Sequence, residues 1–235
     1  MTNSEYIGNE LHIFMNAVNW KKYWVSRISP YIQGDVLEVG AGIGANTKYL
    51  IADFKNISRW VCIEPDANLS KEITNDLSKD KAERIEIKNC YLKDLDKGEK
   101  FDTIIYIDVI EHIEFDSDEI ELAKTYLKDG GHLIILVPAY NYLYSEFDKT
   151  IGHYRRYNKK MLLTSVGNGL HETKLFYLDS LGVTLSFVNK IFLKQGSPTI
   201  KQILFWDRII VPISMFIDKI VFNTFGKSLV GVWKK

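Results

Sequence analysis

The chain has 235 residues, of which 30 are basic and 30 acidic, so its formal net charge at pH 7 is zero. This length suits one domain with an elaboration, or at most two small domains, and it supports a substantial core. A neutral chain has no overall charge that would draw it to nucleic acid, and no nucleic-acid partner is expected. Cys62 and Cys90 are expected to be buried free thiols, which is typical of a cytoplasmic protein.

The first residues carry Glu5 and Glu10 and no apolar core, so no signal peptide is expected. No segment has the roughly 20 apolar residues of a membrane span. Large apolar side chains recur at helical spacing over residues 11–31 and end at Pro30. This pattern predicts a helix packed across the entrance of the domain.

Residues 36–47 are the most informative stretch of the sequence. The apolar residues 36–39 run directly into glycines at alternate positions over residues 40–44, and a helix-compatible segment (49–54) follows. The order strand, tight loop, helix is typical of a nucleotide-binding corner, where glycine lets a ligand lie on the backbone. Glu38 stands just before the first glycine, where a carboxylate would repel a pyrophosphate and could pair with a cationic group instead.

Predicted strands and helices alternate after this corner. The predicted strands are 60–64, 84–89, 101–107, 132–137, 172–178 and 228–233, and the predicted helices are 68–79, 117–127 and 159–168. This alternation favours a parallel sheet with right-handed crossovers. Glu64 ends the second strand about twenty residues beyond the glycines, where ribose hydroxyls bind in such folds, and Pro65 turns the chain there.

Two later segments carry candidate chemistry. Asp108, Glu111 and His112 follow the fourth strand, at the sheet edge where ligands of open α/β sheets bind. Residues 139–157 are rich in tyrosine and charge, too irregular for a strand and too polar for a core. We expect them to form a loop over the active site.

A long connection before the last strand must carry structure of its own. Within it, Ile203–Phe222 is strongly apolar apart from one narrow helical stripe, and Pro212 is expected to kink the helix. The stripe consists of Asp207, Val211, Ser214 and Asp218. Three interpretations stay open: a helix packed on its own domain, a dimer surface or substrate cap, or a helix in a membrane interface.

These motifs together resemble those of the class I S-adenosylmethionine-dependent methyltransferases, from about residue 36 to residue 138. The later segment 152–157, Gly-His-Tyr-Arg-Arg-Tyr, is similar to a bacterial subgroup often associated with cell-surface glycan and lipid-linked sugar genes. The resemblance implies a Rossmann-like three-layer α/β sandwich. Its seven-stranded sheet would be mostly parallel, with an antiparallel last strand and a helical insert before it.

We expect a single methyltransferase domain over residues 1–235. Its predicted parts are an N-terminal helical cap (1–34), a core (35–178), an apolar helical insert (179–226) and the last strand (227–235).

The resemblance also implies a cofactor site for S-adenosyl-L-methionine, with S-adenosyl-L-homocysteine as the product. The implied contacts are Glu38, Gly40, Ala41, Gly42, Gly44, Glu64, Pro65, Tyr91, Leu92 and Asp108. Glu38 would hold the amino end through the loop or water, and Glu64 would take the ribose hydroxyls. Tyr91 stands where the family usually has an acid beside the adenine, so adenine is expected to stack and to contact the backbone around Leu92.

A hydroxyl acceptor must lose a proton during methyl transfer, and a histidine is a suitable base at neutral pH. His112 and His153 are the candidates. A structural role stays open for His112, and His153, in a polar aromatic loop, is slightly better placed to meet the acceptor. The candidate substrate residues are Tyr144, Tyr154, Arg155 and Arg156. The two arginines could bind a phosphate or carboxylate, or they could be a solvated pair.

No metal is expected, but one alternative set stays open. Asp108, Glu111, His112 and His153 resemble the residues that hold a divalent ion in small-RNA 2′-O-methyltransferases and ubiquinone-pathway O-methyltransferases. Carboxylates and imidazoles would suit Mg²⁺, Mn²⁺ or Zn²⁺.

The expected function is methyl transfer to an oxygen of a small-molecule, sugar or lipid-linked acceptor. One alternative is a nicotinamide-dependent oxidoreductase, because Gly40, Gly42 and Ala45 also fit the dinucleotide fingerprint. Another is a non-catalytic scaffold that binds a partner or a membrane through the insert. A monomer or homodimer is expected, with peripheral membrane contact through Ile203–Phe222 as one option.

Overall fold

A seven-stranded sheet forms the centre of the protein. The computed structural model describes residues 10–52, 56–75, 77–190 and 197–235. The strands are β1 (Gly34–Val39), β2 (Ile57–Ile63), β3 (Ile85–Lys88), β4 (Phe101–Ile107), β5 (Leu127–Pro138), β6 (His171–Leu178) and β7 (Ser228–Lys234). Their order across the sheet is β3-β2-β1-β4-β5-β7-β6.

The strand directions confirm the predicted fold class. Strands β1 to β5 pair in parallel, and β7 lies antiparallel between β5 and β6. The chain reverses its strand order between β1 and β4, because β2 and β3 lie on one side of β1 and β4 and β5 on the other. Ligands of such sheets bind outside the carboxyl ends of the strands at this reversal.

Helices cover both faces of the sheet. They are α1 (Glu10–Phe14), α2 (Val18–Ile28), α3 (Thr47–Leu50), α4 (Ala67–Glu72), α5 (Lys79–Ala82), α6 (Asp116–Tyr126), α7 (Glu146–Thr150), α8 (Lys159–Val166), α9 (Ser180–Val188), α10 (Ile200–Phe205) and α11 (Val211–Ile220). One apolar core contains Trp24 and Trp60 on the α2 side, and the other contains Phe101 and Trp233 on the α6 side. Burial on both faces explains why the central strands are almost wholly apolar.

The single helix predicted over residues 11–31 is wrong, because α1 and α2 are separate. The Asn16 side chain donates hydrogen bonds to the carbonyl oxygens of His12 and Ile13, both at 3.1 Å. It thereby satisfies carbonyls that a continuing helix would have used, and α1 ends at Phe14. Apolar spacing continues across this break, so periodicity alone could not reveal it.

Two other predicted boundaries differ from the structure. The helix predicted over 68–79 is split into α4 and α5, with residue 76 outside the described residues. The strand predicted to begin at His132 begins earlier, at Leu127, so Gly130 and Gly131 lie inside β5 and not before it. A Cβ at Gly131 would lie 2.9 Å from the carbonyl oxygen of Asp102 on the neighbouring strand, so the strand pairing here requires glycine.

The insert between β6 and β7 is helical, as predicted. Helices α10 and α11 are joined by a π-helical segment, Trp206–Ile210, which ends two residues before Pro212. Since proline cannot donate an amide hydrogen bond, the wider π-turn takes the place of a simple kink. No helix of the described residues is long and apolar enough to cross a membrane.

Cys62 is buried in β2, and Cys90 is partly buried just after β3. Both are free thiols. Phe54 of the segment predicted to follow the glycines lies outside the described residues.

Candidate active site

The glycine loop between β1 and α3 requires glycine at several positions. Gly40, Gly42 and Gly44 have φ angles of 66°, 57° and 75°, in the left-handed region that other residues rarely adopt. A Cβ at Gly40 would lie 2.8 Å from Val109, and one at Gly44 would lie 2.4 Å from the carbonyl oxygen of Ile73. The alternate glycines therefore follow from backbone geometry and close packing.

Glu64 connects the loop to the end of β2. Its carboxylate accepts hydrogen bonds from the backbone N–H of Gly42 at 2.8 Å and of Asp66 at 3.0 Å. Burial raises the pKa of Glu64, while these two hydrogen bonds act in the opposite direction. The role predicted for Glu64, binding ribose hydroxyls, remains a prediction, and in this structure its carboxylate fixes the loop.

Glu38 lies behind the loop rather than on the cavity wall. It is 3% exposed and accepts hydrogen bonds from Trp60 Nε1 at 3.0 Å and Cys62 Sγ at 3.6 Å. Burial raises the pKa of Glu38 to about 7. The structure therefore does not place this carboxylate against a ligand, and any contact with a cofactor must run through the loop.

A cavity of about 410 Å³ opens above the carboxyl ends of β1 and β4. The glycine loop forms its floor, α1 and α2 form one wall, and the insert forms the other. Among the residues that line it are Gly40, Ala41, Gly42, Asp108, Glu111, His112, His153 and Arg156. The cavity therefore brings together the glycine loop, the segment after β4 and the tyrosine-rich loop, three parts of the chain that the sequence marked separately.

Glu111, His112 and His153 form the polar centre of this cavity. One donor atom from each lies within 4.8 Å of the others. The first two lie on a 3₁₀ turn after β4, and the backbone N–H of Tyr154 donates to the Glu111 carbonyl at 2.8 Å. This hydrogen bond holds the tyrosine-rich loop against the end of β4 and so brings His153 to His112, with ring centroids 4.5 Å apart.

The four-residue metal set predicted from the sequence is only partly assembled. Asp108 lines the cavity, but within the described chain only Glu111, His112 and His153 have donor atoms grouped closely enough for one ion. Asp108 has a φ of 55°, so the chain turns sharply directly after β4. Burial raises the pKa of Asp108 to about 6, although its side chain is exposed to the cavity.

The charges of the cluster are set by burial. Glu111 is fully buried and neither carboxylate oxygen has a hydrogen-bond partner. Burial, and then the nearby charge of Asp108, hold the pKa of Glu111 well above its usual range. Burial and the neighbouring His153 lower the pKa of His112 to about 4, so His112 is neutral at physiological pH and a weak base.

Asp148 orients His153. No sequence signal marks Asp148 as a functional residue. Its carboxylate lies 2.9 Å from His153 Nδ1 and accepts from Arg156 Nε at 2.7 Å and Nη2 at 2.9 Å. Burial would raise the pKa of Asp148, but hydrogen bonds from His153 and Arg156 outweigh burial and hold it well below its usual range. Because Asp148 is ionised, His153 Nδ1 carries the proton and Nε2 is left to accept one.

Most of the predicted substrate residues do not line the cavity. The Tyr144 hydroxyl donates to the His153 carbonyl at 2.6 Å, and Arg155 pairs with Asp116 at 2.8 Å. Tyr154 is 54% exposed. None of these three lines the cavity among the described residues, whereas Arg156 does, and its Nη1 is buried without a hydrogen-bond partner.

The predicted adenine residues lie on the loop after β3. Tyr91 is 44% exposed and Leu92 is buried at the start of a 3₁₀ turn, Leu92–Asp94. The Asn89 side chain donates to the carbonyl of Pro65 at 2.9 Å and thereby joins this loop to the turn after β2. Adenine recognition by these residues remains a prediction.

Two lysines in the cavity had no signal in the sequence. Lys21 on α2 is 3% exposed, and burial lowers the pKa of its amino group to about 8. Lys227 lies 4.0 Å from the ring centre of Trp206, and burial lowers its pKa also. Both lie on segments that the sequence assigned to packing, and only the fold directs them into the cavity.

The family comparison agrees with this geometry. A family model described as a methyltransferase domain matches residues 37–133. This match covers less than half of the chain. The match contains the glycine loop and the cluster residues Glu111 and His112, whereas Asp148, His153 and the insert lie beyond it.

Solved structures share the fold of this protein at low sequence identity. The N-methyltransferase NodS from Bradyrhizobium japonicum WM9 is 14% identical, with a TM-score of 0.58, and the match covers 93% of this chain and 96% of that chain. A structure of NodS in complex with S-adenosyl-L-homocysteine also matches, at 14% identity and a TM-score of 0.58, over 93% of this chain and 87% of that chain.

A SAM-dependent methyltransferase from Archaeoglobus fulgidus is 16% identical, with a TM-score of 0.60, and covers 97% of this chain and 100% of its own. At these identities the likeness establishes the fold alone. No curated protein matches the sequence.

Proposed function

We propose that this protein transfers a methyl group from S-adenosylmethionine to an oxygen of a small-molecule, sugar or lipid-linked acceptor. The observation that supports an oxygen acceptor is the buried cluster of Glu111, His112 and His153, which lies in the same cavity as the glycine loop. A hydroxyl is a poor nucleophile until it loses its proton, and this cluster offers a place for that proton.

The cofactor is proposed to lie along the glycine loop. Its methionine part would rest on the backbone of Gly40 to Gly42, which lines the cavity. Glu64, at the end of β2, would accept hydrogen bonds from the ribose hydroxyls, and Glu38 would act on the amino end through the loop. The remaining proposed contacts are Gly44, Pro65, Tyr91, Leu92 and Asp108.

The reaction is a direct displacement. The acceptor oxygen forms a bond to the methyl carbon while the bond from that carbon to the sulfonium sulfur breaks, and the sulfur keeps the electron pair. The hydroxyl proton goes to His153 Nε2, since Asp148 holds Nδ1 as the donor and stabilises the imidazolium that forms. Alignment of oxygen, methyl and sulfur in the closed cavity supplies much of the remaining rate.

The same three side chains also fit a divalent cation. Glu111 offers an oxygen that has no hydrogen-bond partner, His112 is neutral, and Asp148 holds the second nitrogen of His153 as metal-site histidines often require. An ion bound there would lower the pKa of the acceptor hydroxyl. The displacement itself would be unchanged, but His153 Nε2 would then be a ligand to the ion and could not accept the hydroxyl proton.

Ligand titration tests the proposed cofactor against the dinucleotide alternative. S-adenosyl-L-homocysteine is expected to raise the melting temperature of the purified protein, because a ligand at about 100 times its Kd stabilises by about 2.7 kcal/mol. NADH is expected to leave the melting temperature unchanged. Stabilisation by NADH alone would overturn the proposal, and no response to either ligand would favour the scaffold.

Gly42→Val is expected to remove the response to S-adenosyl-L-homocysteine. The new side chain would fill the loop surface, where even a Cβ already meets Leu11 at 3.5 Å. Gly169→Val is the matched control, since Gly169 also has a left-handed φ, 89°, but has open space around it and does not line the cavity. An unchanged affinity in Gly42→Val would contradict the proposed cofactor position.

The acceptor can be identified with methyl-labelled cofactor. A metabolite or glycolipid extract incubated with the protein and labelled S-adenosylmethionine is expected to yield a labelled ether, identified by mass spectrometry. A label on nitrogen or carbon would contradict the oxygen assignment while leaving methyl transfer itself intact.

A further inference from the structure

The helical run from α10 through α11 has its polar and apolar faces inverted relative to an ordinary surface helix. Its buried side carries Asp207, Ser214 and Asp218, which are 1%, 0% and 0% exposed. Its outer side carries large apolar residues at helical spacing. They are Phe205, Ile209, Ile213, Phe216 and Ile220, exposed by 54%, 49%, 46%, 68% and 59% respectively, and Phe222 follows at 86%.

The buried acids accept structural hydrogen bonds inside the protein. Asp207 accepts hydrogen bonds from the backbone N–H of Trp20 at 2.9 Å, and Asp218 accepts from those of Asp179 at 2.7 Å and Ser180 at 2.9 Å. These contacts fix the rotation of the helix, so the apolar side must face outward. Because a water-facing helix normally exposes its polar side, the outward surface is built for an apolar environment.

The exposed charges on this helical run all have one sign. Lys201, Arg208 and Lys219 are exposed, whereas both of its acids are buried. A second copy related by a two-fold axis would bring these cations towards their own equivalents. An anionic lipid surface, by contrast, attracts them while its acyl region takes up the apolar side chains.

The apolar surface continues into the mouth of the cavity. Phe205 is half exposed and also lines the cavity, and so do Leu185 and Val188 of α9, which are 36% and 39% exposed. The insert therefore gives one apolar path from the outer surface to the cluster around His153.

We propose that the outer face of α10–α11 docks on an anionic membrane surface, and that the acceptor is an amphiphile whose hydroxyl enters the cavity from the lipid side. The membrane contact rests on the inverted helix alone, and the nature of the acceptor rests on the proposed methyl transfer. The charged head of such an acceptor would meet Arg156, and its apolar part would remain against Val188 and Phe205.

Vesicle sedimentation tests the docking. The full chain is mixed with vesicles of phosphatidylcholine alone or of phosphatidylcholine with phosphatidylglycerol, without cofactor or acceptor. The protein is expected to bind the anionic vesicles and to bind the neutral vesicles more weakly. Added salt is expected to weaken binding to the anionic vesicles, because it screens surface charges. The same sedimentation of protein with both vesicle types, or with neither, would overturn the proposal.

The double variant Ile213→Glu with Phe216→Glu removes the apolar centre of the face. Its partition onto anionic vesicles is expected to fall by at least about tenfold, because one large side chain contributes about 1.5–3 kcal/mol when it is buried. Leu163→Glu is the matched control, since Leu163 is 40% exposed on α8 and should leave binding unchanged. An equal loss in both variants, or none in the double variant, would contradict the docking face.

Two further measurements separate the competing outcomes. Sedimentation velocity of the wild type would reveal a dimer, and a dimer that the double variant dissociates would assign the face to a second copy instead. The melting shift with S-adenosyl-L-homocysteine is expected to survive in the double variant, because neither residue lines the cavity. Failure of vesicle binding with an intact melting shift would overturn the docking alone. Absence of the shift in the wild type would overturn the proposed function and the amphiphilic acceptor that rests on it, but not the membrane contact.

Discussion

Asp148 holds together the catalytic half of the cavity. Its two carboxylate oxygens are shared between His153 and the guanidinium of Arg156, and the backbone N–H of Ser145 donates to it as well, at 2.8 Å. A carboxylate that is ionised and fully hydrogen-bonded determines which nitrogen of the histidine is free. The position of a proton acceptor in this protein is thus set by a residue that does not touch the acceptor.

His153→Ala is expected to lower turnover by roughly 10²–10⁴-fold, the range for loss of a positioned acid or base. Affinity for S-adenosyl-L-homocysteine is expected to stay nearly unchanged, because the glycine loop is separate from the His153 side chain. Turnover assays with the identified acceptor and melting shifts measure the two quantities. His171→Ala, at an exposed position on β6, is the control and should alter neither. Equal loss of turnover and affinity in His153→Ala would remove His153 from the acceptor side.

Some site residues can be predicted from local sequence and others cannot. The glycine loop and the segment 108–112 are recognisable because each directly follows a buried strand, and parallel strands end at one edge of the sheet. Asp148 and Lys21 have no such signal, since their roles depend on contacts between distant segments. Arg155 was expected at the substrate for its charge, but Asp116, 39 positions earlier, holds it elsewhere.

Helix α11 and the π-segment before it act as a source of helix caps. Asp207 accepts from the N–H groups of Asn19 and Trp20 in the first turn of α2, whose own N-cap residue, Ala17, has no side chain that could do so. Asp218 serves the start of α9 in the same way. Capping groups supplied from another helix link the insert to the N-terminal helices and fix the two walls of the cavity relative to each other.

Asp207→Ala is expected to lower the free energy of unfolding by about 2 kcal/mol, because it leaves the first turn of α2 uncapped and buried donors unpaired. Urea denaturation measures the change. Asp129→Ala, at an exposed position on β5, should change the free energy by less than about 0.5 kcal/mol. A similar loss in both variants would show that capping by Asp207 contributes little.

The elements were predictable where one physical rule dominates. The strand 101–107 is predicted with its observed bounds, since a near-continuous apolar run with charged residues directly before and after it has few other interpretations. The break at Asn16 was not predictable, because its side-chain hydrogen bonds compete with helical ones only in the folded geometry. The polar stripe of the insert was visible in the sequence, but periodicity could not say that it faces inward.

At the scale of the whole molecule, buried acids govern how stability depends on pH. Burial raises the pKa values of Glu38, Asp108 and Glu111. In the unfolded chain these groups ionise near their ordinary values, so above those values the folded state binds more protons than the unfolded one. These three groups therefore make the free energy of unfolding fall as the pH rises, whereas His112, whose pKa is lowered from 6.5 to about 4, acts in the opposite direction between those values.

Glu38→Gln is expected to remove part of this dependence. The carboxyl ionises at about 4.5 when unfolded and at about 7 when folded, so its stabilising effect is complete below 4.5 and is lost as the pH rises through 7. The wild type should therefore lose roughly 2–3 kcal/mol relative to the variant between about pH 5 and pH 8. Urea unfolding at both pH values measures the difference.

Glu83→Gln is the control, because the Glu83 side chain is 66% exposed. Its free energy of unfolding should depend on pH as that of the wild type does. A wild type and Glu38→Gln variant with parallel profiles would show that Glu38 is ionised in the folded protein.

The sheet topology was predicted from the alternation of strands and helices and from the resemblance, and the structure has it. The interior could be anticipated because burial on both faces leaves a plain apolar signature. The cavity walls could not be anticipated from the sequence, because α1 and α2 lie near one end of the chain and the insert near the other. The contact between these two walls depends on the tertiary contacts of Asp207 and Trp206.

The tryptophans around the cavity allow its occupancy to be detected by fluorescence. Of the five in the chain, Trp20, Trp24 and Trp206 line the cavity, the first two on α2 and the third on the insert. A molecule that enters changes the surroundings of indoles on both walls and is expected to change their emission. Occupancy can therefore be followed by intrinsic fluorescence, with no label and before any acceptor is known.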